Sequence, residues 1–127
     1  MIDLPFEEIL PNSKRAEIDV EKFFHYSMDP LNIGNQNKWM AFQKIGYQVH
    51  SADSRWEAAQ DVIRQLKKSL GEAPAIPGKN TQYGQRYKVF TSIIGPNGDT
   101  GTLITIWQID KGNTFPRLIT NWLEVQR

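Results

Sequence analysis

The 127-residue chain has no cysteine, which excludes a disulfide framework and a thiolate zinc site. Histidine is almost as scarce. His25 and His50 stand far apart without ligand spacing, so neither a metal nor another cofactor is expected. Apolar residues never run on for more than a few positions, and no membrane-spanning helix is expected. The opening MIDLPFEEILPNSKR is acidic where a secretory leader would be basic and then apolar, which points to a cytoplasmic protein. The rest of the composition is ordinary: 39% apolar and 23% charged residues suit one domain over 1–127 with a single core.

A net charge of +1 conceals an asymmetry. Residues 1–60 carry six Lys and Arg against nine Asp and Glu, whereas residues 61–127 carry nine against five. A polyanion would meet the second half first.

Residues 1–17 read as an irregular lead-in, because Pro5 and Pro11 break any helix. A helical part over 18–71 follows. Asp19 caps a helix from Val20 to about Met28, which Asp29-Pro30 ends. Trp39, Phe42 and Ile45 keep the step of a buried helical face over about Asn37 to Ile45, with Gly46 as C-cap. Ser54-Arg55-Trp56-Glu57 matches a capping box, and Trp56, Ala59, Ile63, Leu66 and Leu70 then form one apolar stripe. Residues 72–85, with Pro74, Pro77, Gly78 and Gly84, read as a loop. Strands over 83–125 complete an α+β fold, in which N-terminal helices pack on one face of a C-terminal antiparallel sheet of three or more strands.

Asn97-Gly98 between alternating runs is a strong hairpin signal, and a two-residue turn there pairs Lys88 with Trp107 and Val89 with Ile106. A three-residue turn at Lys111-Gly112-Asn113 then sets Trp107 opposite Arg117 and Ile106 opposite Leu118. Opposed residues share a face. One face would collect Val89, Ile93, Ile104, Ile106, Leu118, Thr120 and Trp122 as core. The other would carry Arg86, Lys88, Phe90, Thr105, Trp107, Arg117, Ile119 and Asn121. Three cations and an indole make a poor core. Such a face can be merely solvated, can bind phosphate or nucleic acid, or can receive a protein partner. RNA cleavage by its own 2′-hydroxyl needs no metal. It needs a proton acceptor, cations on the phosphate and a proton donor for the leaving oxygen.

The motifs LPNSKRAEID, Lys38 with Phe42, Ile45, Gly46 and Tyr47, then YGQRYKV, GPNG, TIWQI and FPRLIT, in that order, resemble a bacterial domain of unknown function. That domain occurs as small stand-alone proteins, often cyanobacterial, and at the C-termini of polymorphic toxins and phage minor head proteins. The resemblance covers about Leu10 to Leu123. It implies a toxin, with a layout like the barnase, EndoU, colicin and RelE group of metal-independent ribonucleases. Its matching polar positions are Lys38, Tyr83, Arg86, Tyr87, Thr105, Trp107, Arg117 and Thr120. Together these imply an endoribonuclease-like domain acting on RNA, transfer RNA among the candidates, with a neutralising antitoxin or immunity protein. Catalysis would fall to Lys38, Tyr83, Arg86, Thr105 and Arg117, and substrate binding to Tyr87, Lys88, Trp107 and Thr120. The alternative is a non-catalytic module that binds a partner through the same face. The chain departs from the family pattern beside Lys38, where the gap after Gly34 is long and Trp39 replaces a small residue.

Overall fold

The structure, a computed structural model, describes residues 8–125. Pro5 and the start of the expected lead-in lie outside them. Four antiparallel strands in chain order form the sheet: β1 (Ala75–Thr81), β2 (Gly84–Ile94), β3 (Thr100–Asp110) and β4 (Arg117–Glu124). Two α-helices precede it, α1 (Trp39–Lys44) and α2 (Ala52–Ser69), with a π-helical turn at Phe23–Ser27 and short 3-10 turns at Ser13–Arg15 and Ile33–Asn35. This is the expected α+β arrangement. None of the described helices is long and apolar enough to cross a membrane.

The Ser51 hydroxyl, not Ser54, caps α2 by accepting the Ser54 N–H at 3.1 Å. Ala58, Ala59, Val62, Ile63 and Leu66 face the sheet and meet Val89, Ile93, Leu103 and Trp107 in one core. Trp56 sits outside this stripe, 45% exposed. Arg55 turns inward instead, donating to the carbonyls of Phe24 (2.9 Å) and Val49 (2.7 Å).

The expected loop at 72–85 contains β1. Pro77 is tolerated because β1 is an edge strand whose outer side needs no N–H, and the ladder is irregular between Pro77 and Asn80.

The β2–β3 register corrects the expected one by a single residue. Lys88 pairs with Ile106, Val89 with Thr105 and Tyr87 with Trp107. Pro96 is the cause. Its fixed φ suits the second position of a type I turn, so Gly95, Pro96, Asn97 and Gly98 make that turn, with the Gly98 N–H on the Gly95 carbonyl at 3.0 Å. Only Gly98 has positive φ, +89°, and the loop therefore spans three residues, not two. A slip of one exchanges the faces. Thr105 and Trp107 lie inward and fully buried, and the expected core residues Ile104 and Ile106 lie on the outer face, where Ile104 is still covered by its neighbours.

The turn docks on the end of α1, where Asn97 donates to the carbonyls of Ile45 (3.3 Å) and Lys44 (3.1 Å). A Cβ on Gly95 would stand 1.9 Å from the Ile45 carbonyl oxygen. Gly95→Ala is accordingly expected to cost about 1–3 kcal/mol in a urea melt, as overpacking does. An unchanged melt would mean the turn is not seated there.

The second hairpin also departs from expectation. Gln108 pairs with Arg117 and Trp107 with Leu118, but Ile106 pairs with Thr120, so Ile119 is bulged out. The bulge keeps Arg117 and Leu118 on their expected sides and reverses the remainder of β4. Thr120 and Trp122 join the outer face, and Asn121 points into the interior.

Buried Asn121 explains the π-turn. Its amide donates to the Lys22 carbonyl at 3.0 Å, the acceptor that the Tyr26 N–H would use in an α-helix, and its oxygen accepts the Ser27 hydroxyl at 2.7 Å. Met28 N–H reaches back to Phe23 at 2.9 Å, so the expected α-helix over Val20–Met28 widens here. The lead-in is equally tied down. Glu8 bridges to Ala75 on β1, Leu10 enters the core, and Glu17 bridges to Arg117 on β4.

Candidate functional site

The face of the sheet away from α2 carries two adjoining rungs, Lys88–Ile106–Thr120 and Arg86–Gln108–Arg117, followed on β4 by Trp122. Same-face neighbours on a strand stand about 6.7 Å apart, so these side chains form one continuous surface.

Tyr26 and Lys38 reach that surface from the β4 edge. The Lys38 ammonium donates to the Tyr26 oxygen at 2.6 Å and lies 5.8 Å from the Trp122 ring centre. The Lys88 ammonium lies 5.7 Å from the same ring. One indole thus holds two ammonium groups by cation–π attraction. The hydrogen bond from Lys38 holds the Tyr26 phenol below its ordinary range. Burial opposes this, while the Lys38 charge and the Thr120 hydroxyl act with it.

The backbone here is built to hold the pair. Gln36 (φ 55°) and Asn37 (φ 63°) are consecutive left-handed residues directly before Lys38, a conformation that costs energy for non-glycine residues. Asn35 sustains it. Its amide donates to the Tyr26 (2.6 Å) and Asp29 (2.9 Å) carbonyls, and its oxygen accepts the Asn37 N–H at 3.0 Å. One buried asparagine therefore fixes the segment bearing Tyr26 against the segment bearing Lys38.

Beside this cluster, Lys79, Thr81, Tyr83, Arg86, Gln108, Asp110 and Arg117 line a groove of ≈ 480 Å³. Arg117 is not a free cation. Asp110 accepts from its Nε at 2.6 Å and from Nη2 at 3.1 Å. This pairing holds the Asp110 carboxyl below the usual carboxylate range and strengthens the Arg117 guanidinium's hold on its proton. Arg86 donates to the Gln108 oxygen at 3.0 Å, a partner that carries no charge.

Of the residues expected at the site, Lys38, Lys88 and Thr120 gather around Tyr26 and Trp122, and Tyr83, Arg86 and Arg117 gather in the groove. Thr105, Trp107 and Tyr87 lie on the other side of the sheet. The Trp107 indole donates to the Thr105 oxygen at 2.7 Å inside the core, and Tyr87 packs against that core. The outward placement of Thr105 and Trp107 came from the two-residue turn and falls with it, whereas Tyr87 was expected at the site through the resemblance alone. Sequence reasoning missed Tyr26, which the π-turn aims, and Trp122, which the bulge turns outward. The run of amides at Asn32, Asn35, Gln36 and Asn37, residues apt for left-handed backbone and local capping, was the available signal.

A cavity of ≈ 670 Å³ lies elsewhere, between α2 and the β2–β3 turn. There the Tyr47 hydroxyl donates to Asp61 at 2.6 Å, and Gln65 bonds both the carbonyl and the N–H of Ile94 at 2.9 Å. Burial, then Asp61, pushes the Tyr47 phenol well above its ordinary range. These groups satisfy one another and fasten helix to sheet.

A family model described as a domain of unknown function, DUF6883, matches residues 9–124. No protein with a curated description matches the sequence. Among solved structures, a chain of a contact-dependent growth inhibition toxin–immunity protein complex from Klebsiella pneumoniae 342 is similar. Its TM-score is 0.59 at 16% identity, over 90% of this chain and 97% of that one. At that identity the likeness is one of fold.

Proposed function

We propose, for a chain that belongs to the DUF6883 family, the role of a metal-independent, endoribonuclease-like toxin domain. Its substrate is RNA, transfer RNA among the candidates, and a small protein partner neutralises it by covering the outer sheet face. The observation that carries this reading is the Tyr26–Lys38 pair at 2.6 Å, beside Thr120 on a face rich in cations. The fold shared with a chain of a toxin–immunity complex supports the toxin role and the protein partner.

In the proposed reaction Tyr26, as phenolate, takes the proton of a 2′-hydroxyl. The freed oxygen bonds to the adjacent phosphorus, the bond from phosphorus to the 5′ oxygen breaks, and Lys88 protonates the leaving oxygen. The products are a 2′,3′-cyclic phosphate and a 5′-hydroxyl. Lys38 stabilises the phenolate and the charge developing on phosphate. Trp122 stacks a base, for about 1–3 kcal/mol.

Incubating the protein with total RNA in excess EDTA is expected to yield fragments with cyclic phosphate ends. Intact RNA that is nevertheless retained by the protein would replace this reading with that of a non-catalytic binding module.

A further inference from the structure

We propose that the groove beside the catalytic cluster is a second phosphate subsite, and that Asp110 holds it closed by occupying the Arg117 fork in place of phosphate. The inference rests on the proposed ribonuclease role, because it assigns the groove to the next phosphodiester along the bound strand.

The geometry is that of an internal competitor. A carboxylate accepting from both Nε and Nη2 of one arginine makes the same two-point contact that a phosphate makes. Gln108 holds Asp110 in place, donating to its Oδ1 at 2.7 Å, while its own oxygen takes Arg86. The four side chains form one chain, Arg86–Gln108–Asp110–Arg117, which lines the groove together with Lys79 and Tyr83. Three cations face one carboxylate, so the groove keeps a positive excess even when closed. Arg86 lies two residues from Lys88 on β2, about 6.7 Å away, a step comparable to that between neighbouring phosphates on an extended strand.

Opening is an exchange of one anion for another on Arg117. The strand must displace Asp110, which then turns to solvent at the groove mouth, where its side chain is already 30% exposed. This makes Asp110 a determinant of affinity. A ligand with one phosphate at the catalytic cluster gains nothing from Arg117, whereas a longer strand reaches the fork and can compete for it.

The test separates binding from cleavage by using a single-stranded DNA dodecamer, which lacks the attacking 2′-hydroxyl. Asp110→Asn is expected to tighten its binding about tenfold at low salt, the scale of one charge-assisted contact. It should also steepen the salt dependence by about 0.7 in log–log slope. Adding Arg117→Ala should abolish the gain, and Arg117→Ala alone should weaken binding, because it removes the fork and leaves the Asp110 carboxylate unpaired. Asp53→Asn, the same charge change on α2 across the sheet, should leave binding nearly unaltered.

Thermal melts accompany each variant, and Asp110→Ala serves if the asparagine variant does not fold. The proposal is overturned if neither Asp110 variant tightens binding, if the gain survives loss of Arg117, or if Asp53→Asn matches it. DNA binding with these responses but intact RNA would keep the subsite and remove the reaction. RNA cleavage indifferent to Asp110 would do the reverse.

Discussion

Under the proposed reaction, replacing Lys38 with alanine is expected to slow RNA cleavage by about 10²–10⁴-fold and to move the alkaline rise of the pH–rate profile to higher pH. The sign is set by the charge each group must carry. Tyr26 accepts a proton only as phenolate, and the ammonium hydrogen-bonded to it favours the phenolate. Removing that ammonium raises the Tyr26 pKa, so the same phenolate fraction is reached only in more alkaline solution. Tyr26→Phe should abolish the rising limb altogether. Thr120→Val should shift it in the same direction as Lys38→Ala but less, because the Thr120 hydroxyl contributes after Lys38. Rates at saturating RNA across the pH range, with thermal melts of each variant, distinguish this from mere loosening. A Lys38→Ala variant slowed equally at every pH would show that Lys38 does not act through Tyr26.

The second large effect separates two tryptophans. Trp107→Ala is expected to cost about 3–5 kcal/mol, lowering the melting temperature by roughly 10–25 °C. The indole is fully buried against α2, and its N–H is satisfied by Thr105. A protein of this size has only about 5–15 kcal/mol to lose. Trp122→Ala should leave the melt within a few degrees of wild type but weaken RNA binding tenfold or more, through the lost stack. Calorimetry and strand-binding titrations on the two variants give opposite patterns. The reverse result, a stable Trp107→Ala protein that no longer binds RNA, would turn the sheet over and undo the site.

Those two residues also mark where sequence reasoning stopped. The α+β layout, the inward face of α2 and the outward positions of Arg86, Lys88 and Arg117 follow from periodicity and turn chemistry. The face of Trp107 does not, because Asn97-Gly98 and Pro96-Asn97 each suit a turn and the two choices differ by one residue. Pro96 decides, together with the seat that Gly95 and Asn97 find on α1. Such docking is tertiary, and no local pattern encodes it. β1 was illegible because Ala-Ile-Pro-Gly-Lys-Asn-Thr has no alternation, and it is a strand only because β2 offers it a ladder. Tyr26 was illegible for a different reason. Its direction depends on Asn121, far along the chain, which takes the Lys22 carbonyl and widens the turn. Thr120 lay on the expected core face until the bulge at Ile119 exchanged it with Asn121.

The bridges made by Glu8 and Glu17 set the order in which the molecule can be assembled. Each hairpin of the sheet joins neighbours in the chain, so β1 to β4 can zip together locally and early. The lateral margins cannot, because residue 8 must find residue 75, and residue 17 must find residue 117. Such distant closures are the slow events of folding. The two flanks of the sheet are thus closed by partners 67 and 100 positions apart, and only the β4 flank has to wait for the last strand.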